Sequence, residues 1–387
     1  MLKLWTKAVF DGILKERRFF MNMILDWKTA TEFTKAAFMA AGVPEKDAEI
    51  CVDVLLEADR RGVTSHGVNR FKPIYIDRIR AGIQSPTTEF EVIRETPTTA
   101  VVDGHDGMGQ VIAYKSTEIA IEKAKKYGMG MVAVRNSTHY GIAGYYSCMC
   151  AKAGMVGITG TNARPSIAPT FGVENMLGTN PLTISMPTDE PFPFNIDCAT
   201  SITQRGKIEY FAREGKPTPA GMVIGRDGSA LTDSEYILKA LVSGDAALAP
   251  LGGIGEELAG YKGYGYATVV EILSAALQSG NYLKMLSGVA ENGSKKKYHL
   301  GHFFIAINTE AFMGEKEFRK TAGDILRALR NSQKAPGCDR IYTPGEKAYE
   351  TWLSRKDSGI PVGESVQKEL SQVRDMYKLD YTFDWEK

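Results

Sequence analysis

No apolar run in the chain approaches the roughly 20 residues that a membrane-spanning helix requires, so no segment is expected to cross a bilayer as a helix. Charge imbalance is absent as well. Lys and Arg number 47 against 46 Asp and Glu, which leaves no long-range field to gather nucleic acid or an anionic membrane surface. Cysteine is scarce. Cys51, Cys148, Cys150, Cys198 and Cys338 are odd in number and lack zinc-type spacing, so they read as reduced thiols in a cytoplasmic setting. Missing too are GxxxxGK[ST], HExxH and paired CxxC patterns, which leaves P-loop and zinc chemistry without support. The one near match to GxGxxG, GMGMVA at 128–133, follows a helical stretch and enters a strand-like one. That order is the reverse of a dinucleotide fingerprint, and its glycines read as a helix end and a turn. What remains is a partner that is a small molecule or a second copy of the chain.

The 387 residues exceed the roughly 250–300 at which a single core stops growing, so two domains are expected. Residues 1–22 mix basic and apolar side chains, but Asp11 and Glu16, and the lack of an apolar core with a cleavage site, argue against a targeting segment. They are read as an extension outside the fold, with the working chain beginning near Met23. Helical periodicity then runs over 27–41, 46–60 and 72–81, each stretch ending at a glycine: Gly42, Gly62 and Gly82. Strand patterns follow at 99–104, 129–137, 154–162, 177–188, 194–200 and 302–308. Helices are expected at 111–127, 141–153, 203–214 and 262–279, and amphipathic helices after Met313. The strands between 154 and 200 have no long helix between them, which predicts hairpin or meander connections. The expected architecture is α+β. A helical domain from both chain ends (23–98 with 310–387) surrounds a central α/β domain at 99–309.

Chemistry concentrates in a few loops. In LEADRRGVTSHGVNRFKPIY, residues 56–75, one helix stops at Gly62 and another begins near Pro73, so His66 lies in the connection with Arg70 about one turn later. A proton-transfer group beside a permanent cation suits a carboxylate with a neighbouring hydroxyl or carbonyl. His139 follows a strand and opens a helix, where side chains face a cleft at the sheet edge, although Asn136, Ser137 or Thr138 would explain that loop as a helix cap. His299 and His302 flank an apolar strand and read as structural. Asp197 ends a strand before an expected helix, where an N-cap is the ordinary role. Lys262 is the lone cation among glycines in GYKGYG, fit for reaching an anion, or for plain solvation.

SHGVNRF at 65–71, NSTHYG at 136–141, TN at 161–162, GTNP at 178–181, DCATS at 197–201, PLGG at 250–253, KGYG at 262–265 and PGE at 344–346 occur in this order. Together they resemble the malate/L-lactate dehydrogenase family, whose nucleotide domain is not a Rossmann fold. The resemblance implies a homodimeric NAD(P)-dependent oxidoreductase of 2-hydroxy or 2-keto acids, with a nucleotide-binding domain on a largely antiparallel or mixed sheet. It further implies His66 and His139 as the two candidates for proton transfer, and Arg70 as the carboxylate clamp, with Ser65 and Asn162 beside the substrate. Cofactor contacts would fall on Pro193, Phe194, Asn195, Ile196, Asp197, Cys198 and Ala199, on Tyr261 and Lys262, and on Gly345, Glu346 and Lys347. Cys198 stands where the family usually has Met. NAD is the expected cofactor, with NADP open, and no metal is implied. Malate/oxaloacetate is the first expected substrate pair. Lactate, ureidoglycolate, sulfolactate, diketogulonate or a cyclic imine-2-carboxylate are the alternatives. A catalytically silent nucleotide-binding dimer is the reading from another class, against which both histidines and Arg70 argue.

Overall fold

The computed structural model describes residues 23–387, so the expected extension at 1–22 lies outside the described residues. Strand β1 (Met23–Leu25) leads into helix α1 (Trp27–Ala40). Asp26 caps α1 by accepting the Thr29 N–H at 2.9 Å, supplying a partner that the first helical turn lacks. Helix α2 (Glu45–Arg60) begins with Glu45 and Asp47 and ends with Arg60, the order that the helix dipole favours. Beyond Gly62, the expected connection consists of two 3-10 turns, Thr64–His66 and Val68–Arg70. The helix expected over 72–81 is a π-helical stretch, Phe71–Ile76, that runs into short helix α3 (Asp77–Arg80). Phe33, Phe38, Phe71 and Tyr75 are fully buried in this layer, and Phe38 meets Phe71 edge to face at 5.0 Å.

The central part begins with β2 (Glu91–Glu95) and β3 (Thr99–Asp103), followed by helix α4 (Gly109–Tyr127) and strand β4 (Met129–Ser137). Helix α5 (Gly144–Lys152) and strands β5 (Met155–Thr161), β6 (Leu182–Met186) and β7 (Phe194–Cys198) come next. A small unit holds α6 (Arg205–Arg213), β8 (Val223–Gly225), α7 (Ser234–Ser243) and β9 (Ala246–Leu248). Then come α8 (Gly260–Leu273), β10 (Leu300–Asn308) and α9 (Glu315–Arg330). The chain ends with α10 (Glu346–Arg355), β11 (Ile360–Val362) and α11 (Glu364–Tyr377).

Seven strands form one sheet in the order β2-β3-β4-β10-β5-β6-β7. Only β3 and β4 pair in parallel, joined by the crossover helix α4. The expected meander is present, since β5, β6 and β7 are antiparallel neighbours. β10 lies between β4 and β5, with Phe304 opposite both Val132 and Thr159. Gly128 closes α4 in the left-handed region at φ +87°, as the near-match glycines suggested. Gly130 has a different reason: a Cβ there would stand 2.2 Å from the Ala120 carbonyl oxygen, so the close approach of α4 to β4 requires glycine. The first and last described strands meet where β1 pairs antiparallel with β11, Met23 opposite Val362. α9 is held instead to the sheet's end loop, through Arg327 with Asp189 and Glu190.

Four elements of the central part escaped the sequence reading. β2 is exposed along its whole length, so it carries no alternation to read, and it extends the sheet into the segment assigned to the helical domain. β8 and β9 are short and fully buried. Helix α7 did leave signals, since Asp233 accepts from the Tyr236 N–H at 3.0 Å and Gly244 closes it at φ +86°.

Phe304 is fully buried at the sheet centre and packs edge-on against Tyr146 at 5.7 Å. Phe304→Ala is expected to cost roughly 3–5 kcal/mol of unfolding free energy, read by denaturant titration; a loss below about 1 kcal/mol would contradict this packing.

Candidate active site

The corner after α2 is fixed by one carboxylate. Asp59 is 1% exposed, and its Oδ2 accepts the Val68 N–H at 2.8 Å. A Cβ on Gly67 would lie 2.1 Å from the same oxygen, so only glycine lets the SHG segment settle on Asp59. Burial raises the Asp59 carboxyl to about 7, against the opposing pull of the Val68 N–H and of nearby Arg355. Arg355 itself donates to the Asp59 carbonyl at 2.6 Å, so the C-terminal helix α10 braces the corner.

This brace sets His66 against His139. Their rings stack at 5.7 Å between centroids with 15° between planes. His66 comes from the helical layer and His139 from the loop after β4, so the pair joins the two parts of the chain. Burial, and then the charge of Arg70, lower His66 to about 4. His139 is held well below the ordinary histidine value, first by burial, then by His66, Arg78 and Arg70. Both rings are therefore neutral at pH 7. His139 Nδ1 accepts the Gly141 N–H at 3.3 Å and lies 2.8 Å from the Tyr75 hydroxyl. With Nδ1 accepting, the ring proton belongs on Nε2. His66 Nδ1 lies 2.9 Å from the Ser65 hydroxyl, which can donate or accept.

Arg70 Nε donates to the Ser65 carbonyl at 2.7 Å. Among the described residues no carboxylate pairs with it, so both terminal nitrogens remain for a ligand. Asn162 is fully buried, with Oδ1 accepting from the Gly301 N–H at 2.8 Å and Nδ2 donating to the Asn281 carbonyl at 3.0 Å. It braces its loop and retains one N–H. His302 is buried in β10, stacked on Tyr140 at 4.5 Å, and burial lowers it to about 3. His299 pairs with Asp106 at 2.8 Å.

A cavity of about 540 Å³ runs from His66 and Ser65 to the sheet edge, where Asn195, Asp197 and Cys198 of β7, with Ala199 just after it, form one wall and Gly345 another. A second, of about 530 Å³, continues from Asn195 and Gly345 past Pro193, Phe192, Tyr349 and Trp352. β7 is the last strand of its sheet. Its outer backbone edge thus offers hydrogen-bonding groups to a ligand amide, as exposed strand edges do. Ser201 Oγ and Thr203 Oγ1 line the same cavity and are buried without a partner. A nicotinamide nucleotide fits these features: an amide for the strand edge and ribose or phosphate oxygens for the orphan hydroxyls.

The other expected cofactor residues divide. The Asp197 carboxylate accepts the Gly144 N–H at 2.8 Å, so it caps α5 across the sheet, while the helix after it starts only at Arg205. Asp197 is open to solvent through the cavity but ringed by protein, which raises its carboxyl against the Gly144 bond. Phe194 and Ile196 belong to β7 but not to the cavity wall. Tyr261 and Lys262 are exposed on the first turn of α8. Lys347 is exposed over the Tyr342 ring. The Glu346 carboxylate is taken by Arg340 and by the Thr343 N–H at 2.9 Å, which leaves only its backbone for a ligand. Asp59, Tyr75 and Arg78 escaped sequence reading because each occupies an ordinary helical position whose role depends on a distant contact. Among the described residues, no cluster of metal-ligating side chains occurs, and no helix is long and apolar enough to cross a membrane.

This pairing of two histidines and an arginine with a cavity along a sheet edge belongs to a known group: the chain is a member of the malate/L-lactate dehydrogenase family, whose sequence profile matches residues 25–371. It is accordingly a dehydrogenase, and the family implies a nicotinamide cofactor. A malate dehydrogenase of Pyrococcus horikoshii is 44% identical over 332 residues, covering 86% of this chain and 89% of that protein. An L-sulfolactate dehydrogenase of Methanocaldococcus jannaschii is 40% identical over 334 residues, covering 86% and 91%. The crystal structure of malate dehydrogenase from Entamoeba histolytica superimposes with a TM-score of 0.89 at 45% identity, covering 93% of this chain and 99% of that one. The α+β fold without a Rossmann unit is thus the family's fold.

The raised Asp59 carboxyl gives a signed pH effect. A folded-state pKa above the unfolded one contributes stability at low pH that is lost as pH rises toward about 7. Asp59→Asn keeps an acceptor for the Val68 N–H and removes the titration, so its melting temperature relative to wild type is expected to rise between pH 5 and pH 8. A difference that does not move with pH would refute the assignment.

Proposed function

We propose that the chain interconverts a 2-hydroxy acid and its 2-keto acid, with malate and oxaloacetate as the first pair, using NAD, with NADP as the alternative. The observation that carries this reading is the His66–His139 stack beside Arg70, at the end of a cavity lined by a strand edge. The names of the relatives support the choice of malate. Sulfolactate, lactate and ureidoglycolate, named for relatives at 40%, 30% and 27% identity, are the alternatives, with diketogulonate and a cyclic imine-2-carboxylate after them.

A bound nicotinamide would supply the hydride chemistry at C2 of the acid. Arg70, held by the Ser65 carbonyl through Nε, grips the acid's carboxylate with its two terminal nitrogens and sets which face of C2 is presented. His139, with its proton on Nε2, donates a hydrogen bond to the C2 oxygen without giving up that proton. His66 exchanges the proton, since the Ser65 hydroxyl accommodates Nδ1 with or without hydrogen. Pairing Arg70 with a carboxylate removes one of the two influences that lower His66, so acid binding primes it to take a proton. Backbone groups from Pro193 to Ala199, and those of Gly345, Glu346 and Lys347 at the start of α10, hold the cofactor, with Tyr261 and Lys262 reaching it from α8.

We further propose a homodimer and a cytoplasmic location. Tyr266, Val269 and Ile272 are 56%, 48% and 54% exposed along one side of α8, an apolar stripe that a second copy would cover. Sedimentation at the mass of one chain would remove the dimer. All five cysteines are free thiols, which suits a reducing compartment.

The deciding assay is oxidation of NADH and of NADPH with a panel of 2-keto acids. His66→Gln is expected to abolish the pH dependence of the residual rate, whereas His139→Gln is expected to lower kcat by about 10²–10³ and keep the pH profile. If both variants keep the profile, His66 is not the proton carrier. Binding of NADH without turnover of any keto acid would favour the silent dimer.

A further inference from the structure

Arg78 is a cation without a counter-charge among the described residues. It follows the π-helical stretch that begins at Phe71, and it lies one helical turn after Tyr75, whose hydroxyl stands 2.8 Å from His139 Nδ1. Its guanidinium stacks over the Tyr298 ring at 4.5 Å. Among the described residues no carboxylate lies within ion-pair distance of it, and no hydrogen bond engages its nitrogens.

Several other partly enclosed arginines hold an acid. Arg61 pairs with Glu57, Arg135 with Asp103, and Arg330 with Glu190. Its neighbour in sequence, Asp77, is committed to Lys72 at 2.9 Å. Burial weighs most heavily against its charge, and Arg164 and Arg70 push on it as well. The Tyr298 face offsets only part of such a penalty. Enclosed arginines gathered without an acid are an arrangement that an anion relieves, and one carboxylate on Arg70 leaves Arg78 unsatisfied.

We propose that Arg78 holds a second anionic group of the substrate, on the carbon chain beyond C2, and thereby selects 2-oxo acids that carry two anions over those that carry one. This rests on the oxidoreductase reading above and names the specificity residue of that same site. The shared chemistry is a carboxylate or a sulfonate, each matching a guanidinium fork. Arg164, exposed on the loop after Asn162, adds field without being needed for the contact.

The test compares kcat/KM for oxaloacetate, 3-sulfopyruvate and pyruvate between wild type and Arg78→Met. A lost charge-assisted bond is worth roughly 10–150-fold, so the oxaloacetate-to-pyruvate ratio is expected to fall by that factor, mainly through KM. An equal fall for sulfopyruvate supports a site that reads charge; a fall for one dianion only supports a site shaped to that group. Equal losses on oxaloacetate and pyruvate would overturn the proposal and leave Arg78 a structural partner of Tyr298. Should Arg78→Met not fold, Arg78→Lys keeps the charge without the fork and is expected to lower the same ratio about tenfold; an unmoved ratio overturns the proposal equally. Wild type that turns over no 2-oxo acid sinks the oxidoreductase reading, whereas turnover with an unmoved ratio sinks only this one.

Discussion

Much of the site depends on the contact between the Asp59 carboxylate and the backbone of Gly67 and Val68. A buried carboxylate under a glycine is an expensive foundation, since the charged form must give up water for one backbone N–H and a nearby arginine. Its return is position. It fixes the turn at Gly67, two residues after Ser65, and from there both the Ser65–His66 and Ser65–Arg70 hydrogen bonds follow. The brace from Arg355 ties this turn to the C-terminal helices, so the corner depends on residues nearly 300 positions apart in sequence.

The electrostatics of the site follow from burial and a shortage of acids among the described residues. Two imidazoles lie near two guanidiniums that have no acid partner there, and burial first, then the neighbouring positive charge, keeps both rings neutral. Such a site is not at rest until an anion enters it. Anion binding is then coupled to protonation of a ring, which lets one event both anchor the substrate and arm the acid.

Sequence reading recovered the parts of this that are periodic or local. The α1 and α2 stripes, the strands of the central sheet and the meander of β5 to β7 each left a pattern of spacing and glycine stops. His66 with Arg70, and His139 at a strand end, were visible as residue types in loops, and their conjunction came from ordered motifs. The stack of the two rings was not visible, because it is a contact between two parts of the chain with no shared period. Asp197 shows the limit most clearly: an aspartate at a strand end reads as the cap of the next helix, yet its carboxylate reaches back to Gly144, 53 residues earlier. β2 was silent because both its faces meet solvent. Arg78 was silent because an arginine in a helix is ordinary until its lack of a partner is seen.

The position of β10 has a consequence for the growing chain. It occupies the middle of the sheet between β4 and β5, yet it is the last of the seven strands to be made. Until residue 300 has left the ribosome, β4 and β5 each keep a long edge unpaired, and the sheet exists as two fragments with open seams. The histidine pair straddles that same unfinished region, since Ser137 at the end of β4 pairs with Leu300. The order of synthesis therefore delays completion of the site's sheet until three-quarters of the chain is present, well after the histidines themselves have been made.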